Sequence, residues 1–160
     1  MVCLGNICRS PMAEVLVRAE LARAGLAGLV SVESAGTGDW HVGGPMDRLA
    51  RAELTGRGLD GGTHRARQIT PAWLDQFDLL VAMDASNLRS LRRMAAHRDG
   101  AAERIRLFLS FDPQAPAGAQ VPDPYGGPQG QFAAVFEMMR SAARGLVSAL
   151  AEVLAEHAGG

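Results

Sequence analysis

Apolar positions along this 160-residue chain fall into short runs separated by longer stretches with helical spacing. Met12, Val15, Leu16 and Ala19 recur at the three- and four-residue intervals of one helix face. Ser10 and Pro11 predict the opening of that helix, serine as cap and proline at the first helical position, and Gly25 predicts its end. Residues 29–32 read as a strand and residues 34–45 as a Gly-rich loop. Helices are predicted over residues 48–57 and, from a Thr70 cap followed by Pro71, over residues 69–75. Residues 77–83 form a near-continuous apolar run, the pattern of a strand covered on both faces. A helix over 86–96, a strand over 105–108, a Pro- and Gly-rich loop over 112–130 and a long helix over 132–157 complete the chain. Strands alternating with helices predict an α/β fold with a mostly parallel sheet, in one domain spanning 1–160.

Composition narrows the functions more than it names them. A formal charge of −1 gives no electrostatic footprint for nucleic acid. No apolar run approaches the ~20 residues of a membrane span, and the first residues lack the pattern of a signal peptide. A cytoplasmic protein with no membrane association is the expectation. Two cysteines, Cys3 and Cys8, cannot build the disulfide framework of a small secreted domain. No His, Cys and carboxylate cluster has metal-ligand spacing, so neither metal nor cofactor is expected.

Both cysteines lie in one segment, Cys3-Leu4-Gly5-Asn6-Ile7-Cys8-Arg9-Ser10, immediately before the predicted helix. A loop of this length can wrap a tetrahedral anion with its backbone N–H groups pointing inward, and the helix adds the positive end of its dipole. The planar fork of Arg9 can hold two phosphate oxygens. The same positive field favours the thiolate of Cys3, the form that attacks. Gly5 permits a tight turn, Ser10 can donate to the thiolate, and Asn6 can lock the loop by side-chain hydrogen bonds. Two buried apolar cysteines beside a surface arginine is the competing reading. It would leave the glycine, asparagine, serine and helix-opening proline as coincidence.

The run from Val2 to Pro11 resembles the signature of low-molecular-weight protein tyrosine phosphatases. The resemblance extends to about Leu154. It takes in Ser34-Ala35-Gly36-Thr37, Trp40-His41-Val42-Gly43, residues 64–70, residues 82–88 and Asp123-Pro124-Tyr125. It implies a small four-stranded parallel sheet flanked by helices on both faces. Because only Met1 and Val2 precede Cys3, the first strand is expected to be missing from this chain, the natural product beginning several residues earlier. The resemblance also implies Cys3 as nucleophile and Asp123 as proton donor to the leaving oxygen. Leu4, Gly5, Asn6, Ile7, Cys8, Arg9 and Ser10 would bind phosphate. Trp40 and Tyr125 would wall the cleft, with Gly126 standing where many relatives carry a second tyrosine. Ser34, His64 and Asn87 would hydrogen-bond to Asn6. Cys8 either closes a reversible disulfide with Cys3 on oxidation or packs beneath the loop.

The expected function is hydrolysis of protein phosphotyrosine through a cysteinyl-phosphate, with a tyrosine-phosphorylated protein as substrate, inorganic phosphate as product and a monomeric enzyme. Arsenate reductases share the loop, but the thioredoxin-coupled type needs a further cysteine pair that this chain lacks. Protein-arginine phosphatases are the nearer alternative; they typically carry threonine where Ile7 stands. A non-catalytic phosphate-binding protein is the third reading, resting on the missing strand.

Overall fold

In the computed structural model, which describes residues 1–158, the sheet has four parallel strands in the order β2-β1-β3-β4. These are β1 (Val2–Cys3), β2 (Ala35–Gly36), β3 (Leu80–Ala82) and β4 (Ile105–Leu107). The helices are α1 (Arg9–Arg23), α2 (Arg48–Thr55), α3 (Trp73–Gln76), α4 (Ala85–Met94) and α5 (Gln129–Ala158). Successive strand residues face opposite sides of the sheet. Val2, Leu80 and Ala82 pack with Leu74 of α3 and Leu91 of α4. Cys3, Val81 and Met83 pack on the other face with Met12 and Leu16 of α1 and Phe132, Phe136 and Met139 of α5. Helices therefore cover both faces, as expected.

The first strand is not missing. Val2 and Cys3 sit in the interior of the sheet, with Val2 opposite Ala35 on one side and Ala82 on the other. The strand expected over 29–32 does not form. A ladder needs a partner, and β1 offers its neighbour only the level of Val2 and Cys3, so pairing begins at Ala35. For the same reason the apolar run at 77–83 is extended as β3 only over Leu80–Ala82. The helix expected over 69–75 is a turn at Thr70–Trp73 leading into α3. Behind the short strands, Met1, residues 29–33, residues 76–81 and the C-terminal turns of α5 line a largely apolar groove of about 530 Å³.

Helix α1 starts one residue earlier than its predicted cap. Cys8 occupies the N-cap position without a side-chain bond, and Ser10 lies inside the first turn with its hydroxyl turned back towards Cys3. Its C-terminal end matches expectation, with Gly25 at φ 74° just past the cap. Asp47 caps α2 by accepting from the Leu49 and Ala50 N–H groups. Asp84 and Asn87 form a capping box at α4. Midway along α5, Gly145 lets the helix backbone lie against the Phe111 carbonyl; a Cβ there would stand 1.8 Å from that oxygen.

Candidate active site

Cys3 ends β1, and residues 4–8 carry the chain round to the N-terminus of α1, so the loop hangs between a strand and a helix on the sheet's carboxyl edge. Its sulfur is approached by the Asn6 N–H at 3.2 Å and by the Ser10 hydroxyl at 3.0 Å. Ser10 Oγ also accepts from Asn6 Nδ2 at 2.9 Å, so its own proton points either at the sulfur or at the Ala35 carbonyl 3.4 Å away. Both groups thus lie at the one sulfur that ends β1.

Asn6 organises the loop. It is buried and takes φ 55°, the one positive φ at a non-glycine residue among those described. Asparagine tolerates this left-handed region better than most side chains. The conformation is held on every polar atom of the residue. Nδ2 donates to Ser10 and Ser34 hydroxyls at 2.9 Å each, Oδ1 accepts the Arg67 N–H at 2.9 Å, and the carbonyl accepts from His64 Nε2 at 2.7 Å. Ser34 and His64 thus stand where the resemblance put them. Burial lowers the pKa of His64, so the neutral ring that donates through Nε2 is favoured. Asn87 makes no hydrogen bond to Asn6; it bonds Asp84 instead, Asp84 Oδ1 accepting its backbone N–H at 2.8 Å. From the N3 position of α4 its side-chain oxygen accepts the Asp84 N–H at 3.3 Å.

Gly36 in β2 sets how closely the loop can lie. A Cβ there would stand 2.6 Å from the Leu4 carbonyl oxygen, a backbone atom that cannot move aside. At Gly5 a Cβ would meet the His41 ring at 3.0 Å.

The guanidinium of Arg9 is buried and held from three sides. Nη1 donates to Asp84 Oδ2 at 2.7 Å and to the Val121 carbonyl at 3.2 Å; Nη2 donates to Asp123 Oδ2 at 3.1 Å. Asp123, half exposed, is thereby brought to the cleft from a loop more than a hundred residues away, and its Oδ1 accepts the Tyr125 N–H at 3.3 Å. Asp84 was not anticipated as a site residue. Its sequence signal, Asp-Ala-Ser-Asn, is that of a helix cap, and the same carboxylate does both jobs.

Cys3, Leu4, Gly5, Ile7, Cys8 and Arg9 form the floor of a cleft of about 130 Å³. Trp40, His41, Asp123 and Tyr125 form its walls. Trp40 and Tyr125 are largely exposed, and His41 leans on Tyr125 with ring centroids 6.1 Å apart. His41 is the one wall residue that sequence reasoning passed over; its neighbours in the Trp-His-Val turn were its only signal. Burial pushes the Cys8 thiol up, reinforced by the negative charges of Asp47 and Asp123. A thiol held protonated suits packing beneath the loop better than attack on an oxidised Cys3. Both cysteines are free. Among the described residues no group of three or more His, Cys, Asp or Glu side chains is placed to hold a metal, and no helix is long and apolar enough to cross a membrane.

This geometry has known counterparts. The family model for low molecular weight phosphotyrosine protein phosphatases matches residues 1–156. A low molecular weight protein-tyrosine-phosphatase of Streptomyces coelicolor is 48% identical, over 94% of this chain and 92% of its own. Low molecular weight protein-tyrosine phosphatase A of Mycobacterium tuberculosis is 43% identical over 98% of this chain and 93% of its own. Among solved structures, YfkJ of Bacillus subtilis superposes with a TM-score of 0.87 at 37% identity, covering 94% of this chain and 92% of that one. With match, fold and loop in agreement, this chain belongs to the low molecular weight phosphotyrosine protein phosphatase family.

Proposed function

We propose that this chain is a one-domain, monomeric, cytoplasmic phosphatase that hydrolyses phosphotyrosine in proteins and releases inorganic phosphate. The observation that carries the reading is the meeting of Cys3 and Asp123 across one clamp. The sulfur sits beneath the loop with the Asn6 N–H and the Ser10 hydroxyl on it, and the carboxylate is tied to the Arg9 guanidinium that reaches the same cleft.

The phosphate of the substrate lies in the loop, its oxygens on the loop N–H groups and on Arg9. Binding takes Nη2 of Arg9 from Asp123, which frees that carboxyl for the leaving oxygen. The Cys3 thiolate attacks phosphorus in line. The phosphorus–oxygen ester bond breaks as Asp123 gives its proton to the phenolic oxygen, leaving a cysteinyl-phosphate. Water then attacks phosphorus, Asp123 takes its proton, and the sulfur–phosphorus bond breaks to return the thiolate. Arg9 and the loop amides hold the three equatorial oxygens throughout, where charge shifts most. Trp40 and Tyr125 flank the aromatic ring, and Ile7 adds apolar floor, which favours an aryl ester over a guanidino phosphate.

Release of p-nitrophenol from its phosphate ester tests the proposal. Activity is expected, abolished in Cys3→Ser and strongly reduced in Asp123→Asn, the latter least with the best leaving groups. Wild-type turnover by a folded Cys3→Ser protein would overturn it.

A further inference from the structure

Seven large hydrophobic side chains are exposed among the described residues; three of them line this one small cleft, and a fourth, Val42, follows two residues after Trp40. Leu4 is 45% exposed, Trp40 70%, Val42 57% and Tyr125 60%. Leu4, Trp40 and Tyr125 line the cleft; Val42 closes the tight turn that presents Trp40 and His41, its N–H donating to the Asp39 carbonyl at 3.2 Å. Exposed apolar side chains gathered at one cleft mark a place where something apolar docks.

The fixed charges at the rim point the same way. Arg9 is the one arginine lining the cleft, and both its outer nitrogens are engaged by carboxylates. Asp123 is half exposed in the wall, and Asp39 stands exposed beside Trp40. Arg89, on α4, lines a neighbouring depression beyond Asp123 with Asp84 and Gln120, away from Trp40 and Val42.

Resting on the phosphatase reading, we propose that Trp40 and Val42 form a subsite for an apolar residue next to the phosphotyrosine. The enzyme then selects phosphotyrosine segments with apolar neighbours and disfavours acidic ones. A ring seated in the cleft places the residues on either side of it one extended step, about 3.5 Å, along the chain, which is on the rim. A leucine or phenylalanine there covers part of Trp40 and Val42, which is enough for roughly a tenfold gain over alanine. A glutamate at the same place meets the carboxylates of Asp39 and Asp123.

The test compares kcat/KM, by phosphate release, for phosphotyrosine peptides of one length flanked by leucine, alanine, glutamate or arginine. The p-nitrophenyl ester is assayed in parallel. Leucine-flanked peptides are expected to exceed alanine-flanked ones about tenfold, with glutamate-flanked peptides lowest. Val42→Asp should collapse the leucine-to-alanine ratio, and Val42→Leu should preserve it. Glutamate-flanked peptides turned over as fast as leucine-flanked ones would overturn the proposal, as would a ratio unmoved by Val42→Asp. Absence of hydrolysis of the p-nitrophenyl ester itself would instead defeat the phosphatase reading, so the two failures are separable.

Discussion

Replacing Asp84 by asparagine asks one side chain to do two jobs with half its acceptors. Asp84 Oδ1 accepts the Asn87 N–H at the start of α4, and Oδ2 accepts from Arg9 Nη1 at 2.7 Å. An amide has a single oxygen. Asp84→Asn either keeps the cap and turns its NH₂ onto the guanidinium, donor against donor, or flips and leaves the cap unmade. A lost cap costs about 1 kcal/mol. A lost hydrogen bond to a charged group costs about 1.5–3 kcal/mol. Arg9 keeps Asp123 and the Val121 carbonyl, so the loss stays below the ~3–5 kcal/mol of a buried charge stripped of its partner. The expected destabilisation is therefore about 1–3 kcal/mol in urea unfolding. Because Arg9 is also the proposed phosphate clamp, kcat/KM for p-nitrophenyl phosphate should fall roughly 10- to 100-fold, at about 1.4 kcal/mol per factor of ten. Asp84→Ala loses both bonds and should be the less stable of the two. An Asp84→Asn protein with wild-type midpoint and wild-type kcat/KM would refute the idea that Asp84 positions Arg9.

Other expectations follow from single contacts. Gly145→Ala, which on an exposed helix would gain about 1 kcal/mol, should cost about 1–3 kcal/mol because its methyl group would strike the Phe111 carbonyl; a raised Tm would show that α5 has room. Gly36→Ala should lower kcat and the urea midpoint together, because its methyl group meets only backbone, so a variant of normal activity would mean the loop is not seated on β2. His64 has its pKa lowered by burial, so its contribution to stability is present above the unfolded value of about 6.5 and is lost as pH falls below it. His64→Gln keeps a side-chain donor but does not titrate; between pH 7.5 and 5 it should lose less stability than wild type, and equal losses would clear His64 of the effect. Iodoacetate at neutral pH should modify one cysteine, in Cys8→Ser as in wild type but not in Cys3→Ser, as mass spectrometry of the intact chains would show; Cys8 reacting first would contradict its raised pKa.

What the sequence disclosed followed from how local each feature is. The loop from Cys3 to Ser10 was legible because its chemistry is contiguous and needs only the helix that follows it. The Ser34 and His64 bonds to Asn6 could be carried over because both residues do one thing there. Asn87 was misread because a capping position competes for the same side chain, and the cap, being three residues away, wins. Asp84 was hidden for the converse reason: its cap is visible in sequence, while its ion pair spans seventy-five residues. Strand lengths failed most. Apolar runs at 29–32 and 77–83 have the composition of strands, but a ladder exists only where a neighbour is extended beside it, and composition does not report the neighbour.

The bond between Arg9 and Asp123 has a consequence for how the enzyme lets go. A clamp that offered a bare guanidinium beside a ring of backbone donors would retain the phosphate it had just made. Here a carboxylate is tethered within reach of the same nitrogen, at 3.1 Å, and competes for it from a high effective concentration. Each arriving ester must win that nitrogen, and each departing phosphate loses it back. On the proposed mechanism the protein thus carries its own competitor for Arg9, which a substrate gripped also by its ring displaces and a bare phosphate does not.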